Sequence, residues 1–167
     1  MNTMMFINKT YIITGAGQGI GFTIAERLAS LGAQVFLNDI NEALAQEAAQ
    51  KIIDAGGKAI PIAGDAGDVD IINHLVDVAV KKSGKIDGVV ANAGITTFGD
   101  FFSYTPEAMQ QLLQLNIAGT FFLTQAAANQ MRDQPNGGSI VLMSSVVGIQ
   151  SHKYLAAYAM TKAAIQM

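Results

Sequence analysis

Short runs rich in β-branched residues alternate with longer stretches of helical spacing, and this alternation constrains the fold more than any other feature. The runs are TYIIT (10–14), QVFLND (34–39), AIPIAGD (59–65), DGVVANAG (87–94) and SIVLMSS (139–145), and each reads as a strand. Helices are expected over Gly19–Leu31, Asn41–Ala55, Asp68–Ser83 and from Thr105 to about Asp133. In the first, Ile20, Ile24, Leu28 and Leu31 fall on one stripe, with Gly32 as a stop. The last opens on a capping Thr105, with Pro106 and Glu107 behind it. Parallel strands are usually joined by right-handed helical crossovers. The pattern therefore predicts an α/β fold: a doubly wound parallel sheet between two helical layers.

Composition narrows the class. The 167 residues, half of them hydrophobic, suffice for one core, and residues 1–167 read as a single domain. Charged residues make up 14%, the net charge is −3 and the longest basic run is Lys81–Lys82. Such a chain carries no electrostatic footprint for nucleic acid. It has no cysteine, and His74 and His152 are too far apart for a short metal motif, so no metal is expected. The amino terminus, MNTMMFINK, has no basic leader region, and no apolar stretch is long enough for a membrane span. A cytoplasmic location without membrane contact is the expectation.

Between the first strand and first helix lies YIITGAGQGIG (11–21), with glycine at every second position from Gly15 to Gly21. Glycine weakens strands and helices alike, so this density needs a reason. In a doubly wound sheet this turn faces dinucleotide phosphates, which unpaired helix amides attract and which bare backbone can approach. The GxGxxG fingerprint fails, because Ile20 or Phe22 stands where its third glycine belongs; TGxxxGxG fits, with Thr14, Gly15, Gly19 and Gly21. Asp39 ends the second strand, where a carboxylate accepts hydrogen bonds from the adenosine ribose; a cap for the helix near Asn41 is the alternative. No Arg or Lys lies between Gln34 and Gln50, and Gln18 is neutral, so nothing there offsets a ribose 2′-phosphate. NAD is expected over NADP.

Thr14–Gly21, Asn92–Ala93–Gly94, Asn116, Ser145, and Tyr158 with Lys162 together resemble the short-chain dehydrogenase/reductase family, from the first strand to the last residue. One departure is Ala91 before Asn92, where many members carry a second asparagine. The resemblance implies a Rossmann-type fold, three layers deep, and hydride transfer between a nicotinamide cofactor and a small-molecule alcohol or ketone. It implies cofactor contacts along Thr14, Gly15, Gln18, Gly19, Ile20 and Gly21, at Asp39, with Asp65 and Ala66 beside the adenine, and along Asn92, Ala93 and Gly94. Asn116, Ser145, Tyr158 and Lys162 are the implied catalytic set, the last two also touching the cofactor. A homodimer or homotetramer is the family expectation, through the helix from Thr105 and the one beginning near Tyr154.

The chemistry is consistent with those residue types. Reducing a carbonyl leaves negative charge on oxygen, so a proton donor and a second hydrogen bond are needed. A phenol ionises near pH 10 and trades protons at neutral pH only when a cation lowers that value. Lys162 stands one helical turn beyond Tyr158. At an effective dielectric of about 20, a charge about 4 Å away contributes roughly 4 kcal/mol, which moves an ionisation by about three pH units. Ser145 reads as a fixed donor orienting the substrate oxygen, with Ser144 as rival. Asn116 lies on a stripe with Leu112, Leu113, Gly119, Thr120 and Leu123, so its amide is expected to be buried. A structural bond to backbone and the family role, holding a water that relays protons to Lys162, both stand. Tyr154 reads as packing, His152 and Lys153 as a solvated loop, and Phe98, Phe101 and Phe102 as packing at the start of the long helix.

After Lys162 the chain runs AAIQM inside an amphipathic segment with no stop signal. Five strands are fewer than the six or more of most doubly wound dinucleotide folds. A chain lacking its C-terminal strands is expected, as a fragment or a truncated product. The alternative function is then a non-catalytic NAD-binding or interaction module. Polyols or sugars and 3-oxoacyl thioesters both remain as substrate classes.

Overall fold

The computed structural model describes residues 4–150 and 152–167; the first three residues of the amino-terminal segment lie outside them. Five parallel strands form one sheet: β1 (Thr10–Thr14), β2 (Gln34–Asp39), β3 (Lys58–Ala63), β4 (Gly88–Ala91) and β5 (Ser139–Leu142), in the order β3-β2-β1-β4-β5. The order reverses direction at β1, and the space between the C-terminal ends of β1 and β4 is where open α/β sheets bind ligands.

The helices are α1 (Gly19–Ser30), α2 (Glu42–Asp54), α3 (Val69–Ser83), α4 (Pro106–Leu112), α5 (Thr120–Arg132) and α6 (Ala156–Ala164). Local chemistry sets their starts. Asn41 Oδ1 accepts from Leu44 N at 3.2 Å, Asp68 Oδ1 from Asp70 N at 2.9 Å, and Thr105 Oγ1 from Ala108 N at 3.2 Å. The helices cover both faces. On one, Ile13, Val35 and Leu37 meet a layer dominated by alanines, among them Ala25, Ala29, Ala45 and Ala48. On the other, Ile12, Phe36 and Val89 pack against Ile72, Leu75 and Leu123.

Several expectations change. The buried positions of α1 are Gly21, Ala25 and Ala29, while Ile20 is 64% exposed. Small residues let α1 lie close to the sheet, and the larger apolar residues flank that contact. Strands β3, β4 and β5 stop at Ala63, Ala91 and Leu142, so Gly64–Asp65, Asn92–Gly94 and Met143–Ser145 are loops at the C-terminal edge. The long helix from Thr105 is not uniform: Leu113–Gly119 between α4 and α5 is wound as π-helix. Leu113 consequently faces outward, whereas Leu112, Asn116, Thr120 and Leu123 are buried. Phe98, Phe101 and Phe102 are exposed rather than packed, with a 3₁₀ turn at Phe101–Ser103. Tyr154 is about half exposed, with φ of 65° and its carbonyl accepting from Gly99 N at 3.0 Å. Its part is therefore in the backbone of this loop, not in the core. His152 and Lys153 are exposed, as expected.

Candidate active site

A cleft of about 280 Å³ opens at the reversal point, lined by Gly15, Gln18, Asp39, Asp65, Ala66, Asn92, Ala93 and Gly94, together with Asn38, Ile40, Ile95 and Leu115. Eight residues expected at a cofactor thus share one cavity. The other members of the glycine loop stand behind or beside it. Thr14 is buried, and its Oγ1 accepts from Asn92 N and Ala93 N, both at 3.1 Å. Asn92 Nδ2 donates to Thr14 O at 2.9 Å and Gly15 O at 3.1 Å. These bonds tie the glycine loop to the end of β4. A Cβ on Gly21 would lie 2.3 Å from Gly15 O, so only glycine fits beneath the loop. Gly19 opens α1, and Ile20 lies on the outer surface, beyond the lining of this cleft.

The carboxylates of Asp39 and Asp65 are held by backbone amides. Asp39 Oδ2 accepts from Gly17 N and Oδ1 from Asn41 N, both at 3.0 Å. Asn41, not Asp39, caps α2, which leaves the Asp39 carboxylate at the cleft. Asp65 Oδ1 accepts from Gly67 N at 2.8 Å. Two residues outside the sequence reading support this region. Asn38 Nδ2 donates to Ile62 O at 3.1 Å and Gly64 O at 2.9 Å, holding the turn before Asp65. Its Oδ1 is buried without a partner among the described residues. Gln114, in the π segment, donates to Gly67 O at 2.6 Å. Neither had a sequence signal, because both act on backbone carbonyls distant in the chain.

Asn116, Ser145, Tyr158 and Lys162 are not among the residues that line this cleft; beside it, next to Gly94, Lys162 is almost fully buried, and its Nζ donates to Met143 O at 2.6 Å. The same Nζ lies 5.7 Å from the centre of the Tyr158 ring, so the pair shares one side of α6. Burial holds the Lys162 ammonium below its ordinary ionisation range. Gly94 adjoins both groups: a Cβ there would stand in ordinary contact with Lys162 Nζ at 3.5 Å and crowd Asn116 Oδ1 at 3.2 Å. Asn116 is fully buried. Its Oδ1 accepts from Ile95 N at 2.9 Å, and its Nδ2 donates to Ile95 O at 3.0 Å and Thr161 Oγ1 at 3.1 Å. Both amide donors are occupied, so the side chain clamps the loop after β4 to α6. The two serines differ. Ser144 Oγ donates to Lys162 O at 2.8 Å and accepts from Gln166 Nε2 at 3.1 Å, whereas among the described residues Ser145 Oγ accepts only a long 3.4 Å contact from Val147 N. Ser144 is engaged in holding β5 to α6; Ser145 keeps its hydroxyl proton available.

The sheet order, the glycine turn at its reversal point and the cleft define a Rossmann-type nucleotide-binding protein. Residues 9–167 match the family model described as short chain dehydrogenase. The chain is 37% identical over 160 residues to a diacetyl reductase [(S)-acetoin forming] of Staphylococcus epidermidis, covering 96% of this chain and 62% of that protein. It is 37% identical to an L-rhamnose 1-dehydrogenase (NAD(P)(+)) of Azotobacter vinelandii, covering 97% of this chain and 65% of that one. The crystal structure of a short-chain type dehydrogenase/reductase from Mycobacterium marinum superposes with a TM-score of 0.92 at 34% identity, over 98% of this chain and 67% of that one. A metagenomic short-chain oxidoreductase solved in complex with NADP gives 0.91 at 30% identity, over 96% and 73%. The chain belongs to the short-chain dehydrogenase/reductase family, and it spans under two thirds of the length of these curated relatives. No helix among the described residues is long and apolar enough to cross a membrane.

Proposed function

We propose that this chain is the cofactor-binding and proton-transfer part of an NAD-linked oxidoreductase acting on a secondary alcohol or ketone. The observation that carries the reading is the buried Lys162 ammonium beside the Tyr158 ring and next to Gly94, one of the glycines that line the cleft. The residues fit a dinucleotide. The first amides of α1 have no side-chain cap, since Gln18 makes no capping bond, and a Cβ at Gly15 would strike Ala93 Cα at 2.9 Å. Open amides at a helix start suit a diphosphate. Asp39 presents a held carboxylate to a ribose diol, and no Lys or Arg lines the cleft to offset a 2′-phosphate. NAD is therefore favoured, although the A. vinelandii relative is described with NAD(P)(+).

When bound, the nicotinamide supplies or accepts the hydride. The protein handles the proton. Tyr158 gives it to the substrate oxygen, or takes it from an alcohol in the reverse direction. The Lys162 cation stabilises the phenolate that results, and its weak solvation by protein makes that interaction stronger than in water. Ser145 donates a hydrogen bond to the same substrate oxygen. Asn116 acts by position, tying Ile95 to Thr161, the residue that precedes Lys162. A cytoplasmic homo-oligomer remains part of the proposal. The test is a turnover assay of the 167-residue chain with NAD and a panel of secondary alcohols, sugars and polyols included, beside an NADH titration. Turnover supports the reading; nucleotide binding without turnover supports a non-catalytic binding module for this chain, and absence of both overturns it.

A further inference from the structure

We infer that Gly17 is a specificity-positioning residue: its bare Cα holds the Asp39 carboxylate in the orientation that admits a ribose diol and rejects a 2′-phosphate. The inference rests on the nicotinamide reading above, and it concerns the one glycine of the loop that the TGxxxGxG spacing leaves free to vary. The backbone of Gly17 is not left-handed, unlike that of Gly15 and Gly19, so its conformation would accept any residue. Space does not. A Cβ at position 17 would lie 2.7 Å from Asp39 Oδ2, 2.9 Å from Asp39 Cγ and 2.9 Å from Leu44 Cβ. Leu44 is buried in neither core cluster, but its Cβ belongs to the first turn of α2 and cannot withdraw without moving that helix. The carboxylate is the partner that would give way.

Its present position is specific. One amide bonds each oxygen, Gly17 N on Oδ2 and Asn41 N on Oδ1, both at 3.0 Å. These two bonds fix the plane of the group and leave each oxygen with acceptor capacity directed away from the backbone. Vicinal hydroxyls of an unmodified ribose match such a pair of acceptors. A 2′-phosphate carries no proton to share at neutral pH and adds negative charge beside a carboxylate that cannot turn aside. A methyl group at position 17 breaks the Gly17 bond and frees the carboxylate to rotate. The diol then loses a preorganised partner while the phosphate loses part of its repulsion.

Calorimetric titration of NAD and NADP against the chain, Gly17→Ala, Asp39→Ala and the double variant tests this. The chain itself is expected to bind NAD more tightly than NADP. Gly17→Ala is expected to narrow that ratio by about tenfold, the scale of one charge-assisted hydrogen bond. In the Asp39→Ala background the same change is expected to leave the ratio untouched, since Gly17 acts through Asp39. An unaltered ratio in Gly17→Ala overturns the inference while leaving the nicotinamide reading in place, and so does an equal change in both backgrounds. Asp39→Ala that keeps the full discrimination overturns it even if Gly17→Ala fails to fold. A chain that binds neither nucleotide overturns both readings together.

Discussion

Strand β2 runs into the cleft, strand β5 runs into the Met143–Ser145 loop beside Lys162, and the two strands are buried to opposite degrees. Residues Val35–Asn38 of β2 are all buried, between β1, β3 and the alanine-rich helices, whereas β5 leaves Val141 50% and Leu142 38% exposed. The Asp39 side of the site is therefore shaped by packing on both faces, with hydrogen bonds added to a geometry that is already confined. The Lys162 side relies on the bonds themselves: Ser144 to Lys162 O, Lys162 to Met143 O, and Asn116 to Ile95 and Thr161. Loss of one polar group is expected to matter for shape on the second side and for specificity on the first.

The largest expected effect separates chemistry from binding. Tyr158→Phe is expected to lower turnover by about 10²–10⁴-fold, the range of general acid–base catalysis, with the NADH titration unchanged. A rate close to that of the parent would place the proton donor elsewhere.

Asn116→Leu tests the bond-held side. It leaves Ile95 N–H and C=O without their partner, at a cost of about 1–3 kcal/mol for each group left dry; urea unfolding reads the sum. Gly21→Ala is its counterpart on the packed side. The Cβ has no room against Gly15 O, and overpacking costs about 1–3 kcal/mol. A smaller loss in Asn116→Leu than in Gly21→Ala would reverse the comparison drawn between the two sides.

Lys162 gives the contrast a pH dependence. Its folded ionisation lies below the ordinary 10.5 because of burial, so the unfolded chain binds more protons between those two values. Stability is expected to rise with pH across that window, as the buried charge is discharged, and the rise is expected to vanish in Lys162→Met. Urea midpoints across alkaline pH check the sign.

The smallest effect lies at the far end of the sheet. Burial alone would raise the Asp87 carboxyl, but hydrogen bonds from Lys9, Thr10 N and Lys85 outweigh it and hold the group below its ordinary 3.8. Its contribution is present above that value and lost as pH falls through the lower folded one. Both lysines are more than a third exposed, so Asp87→Asn is expected to cost only about 1 kcal/mol at neutral pH. Unfolding at pH 7 and below measures it.

Much of this was legible from residue order. The strand runs, the cap at Thr105 and the position of the glycine turn are local signals, and the structure follows them closely. The misreadings share a cause. Ile20 looked like part of a core stripe because periodicity cannot show that alanines, not isoleucines, face a closely packed sheet. The three strand runs that read too long did so because the residues after β3, β4 and β5 are apolar or small, while their backbone is bonded by Asn38, Thr14 and other partners from distant elements. The π segment around Asn116 was invisible for a similar reason: one widened turn leaves the apolar spacing nearly intact.

By itself, then, the sequence determined the α/β alternation, the glycine turn and which residues carry titratable or hydrogen-bonding chemistry, because these depend on spacing and side-chain type within a few neighbouring positions. Tertiary structure alone decided that Gly17 rather than a side chain secures Asp39, that Asn116 has both donors engaged, and that Ser144 is tied down while Ser145 is not. Those facts depend on distances between groups far apart in the chain, which only the packed sheet and its helices bring within hydrogen-bonding range.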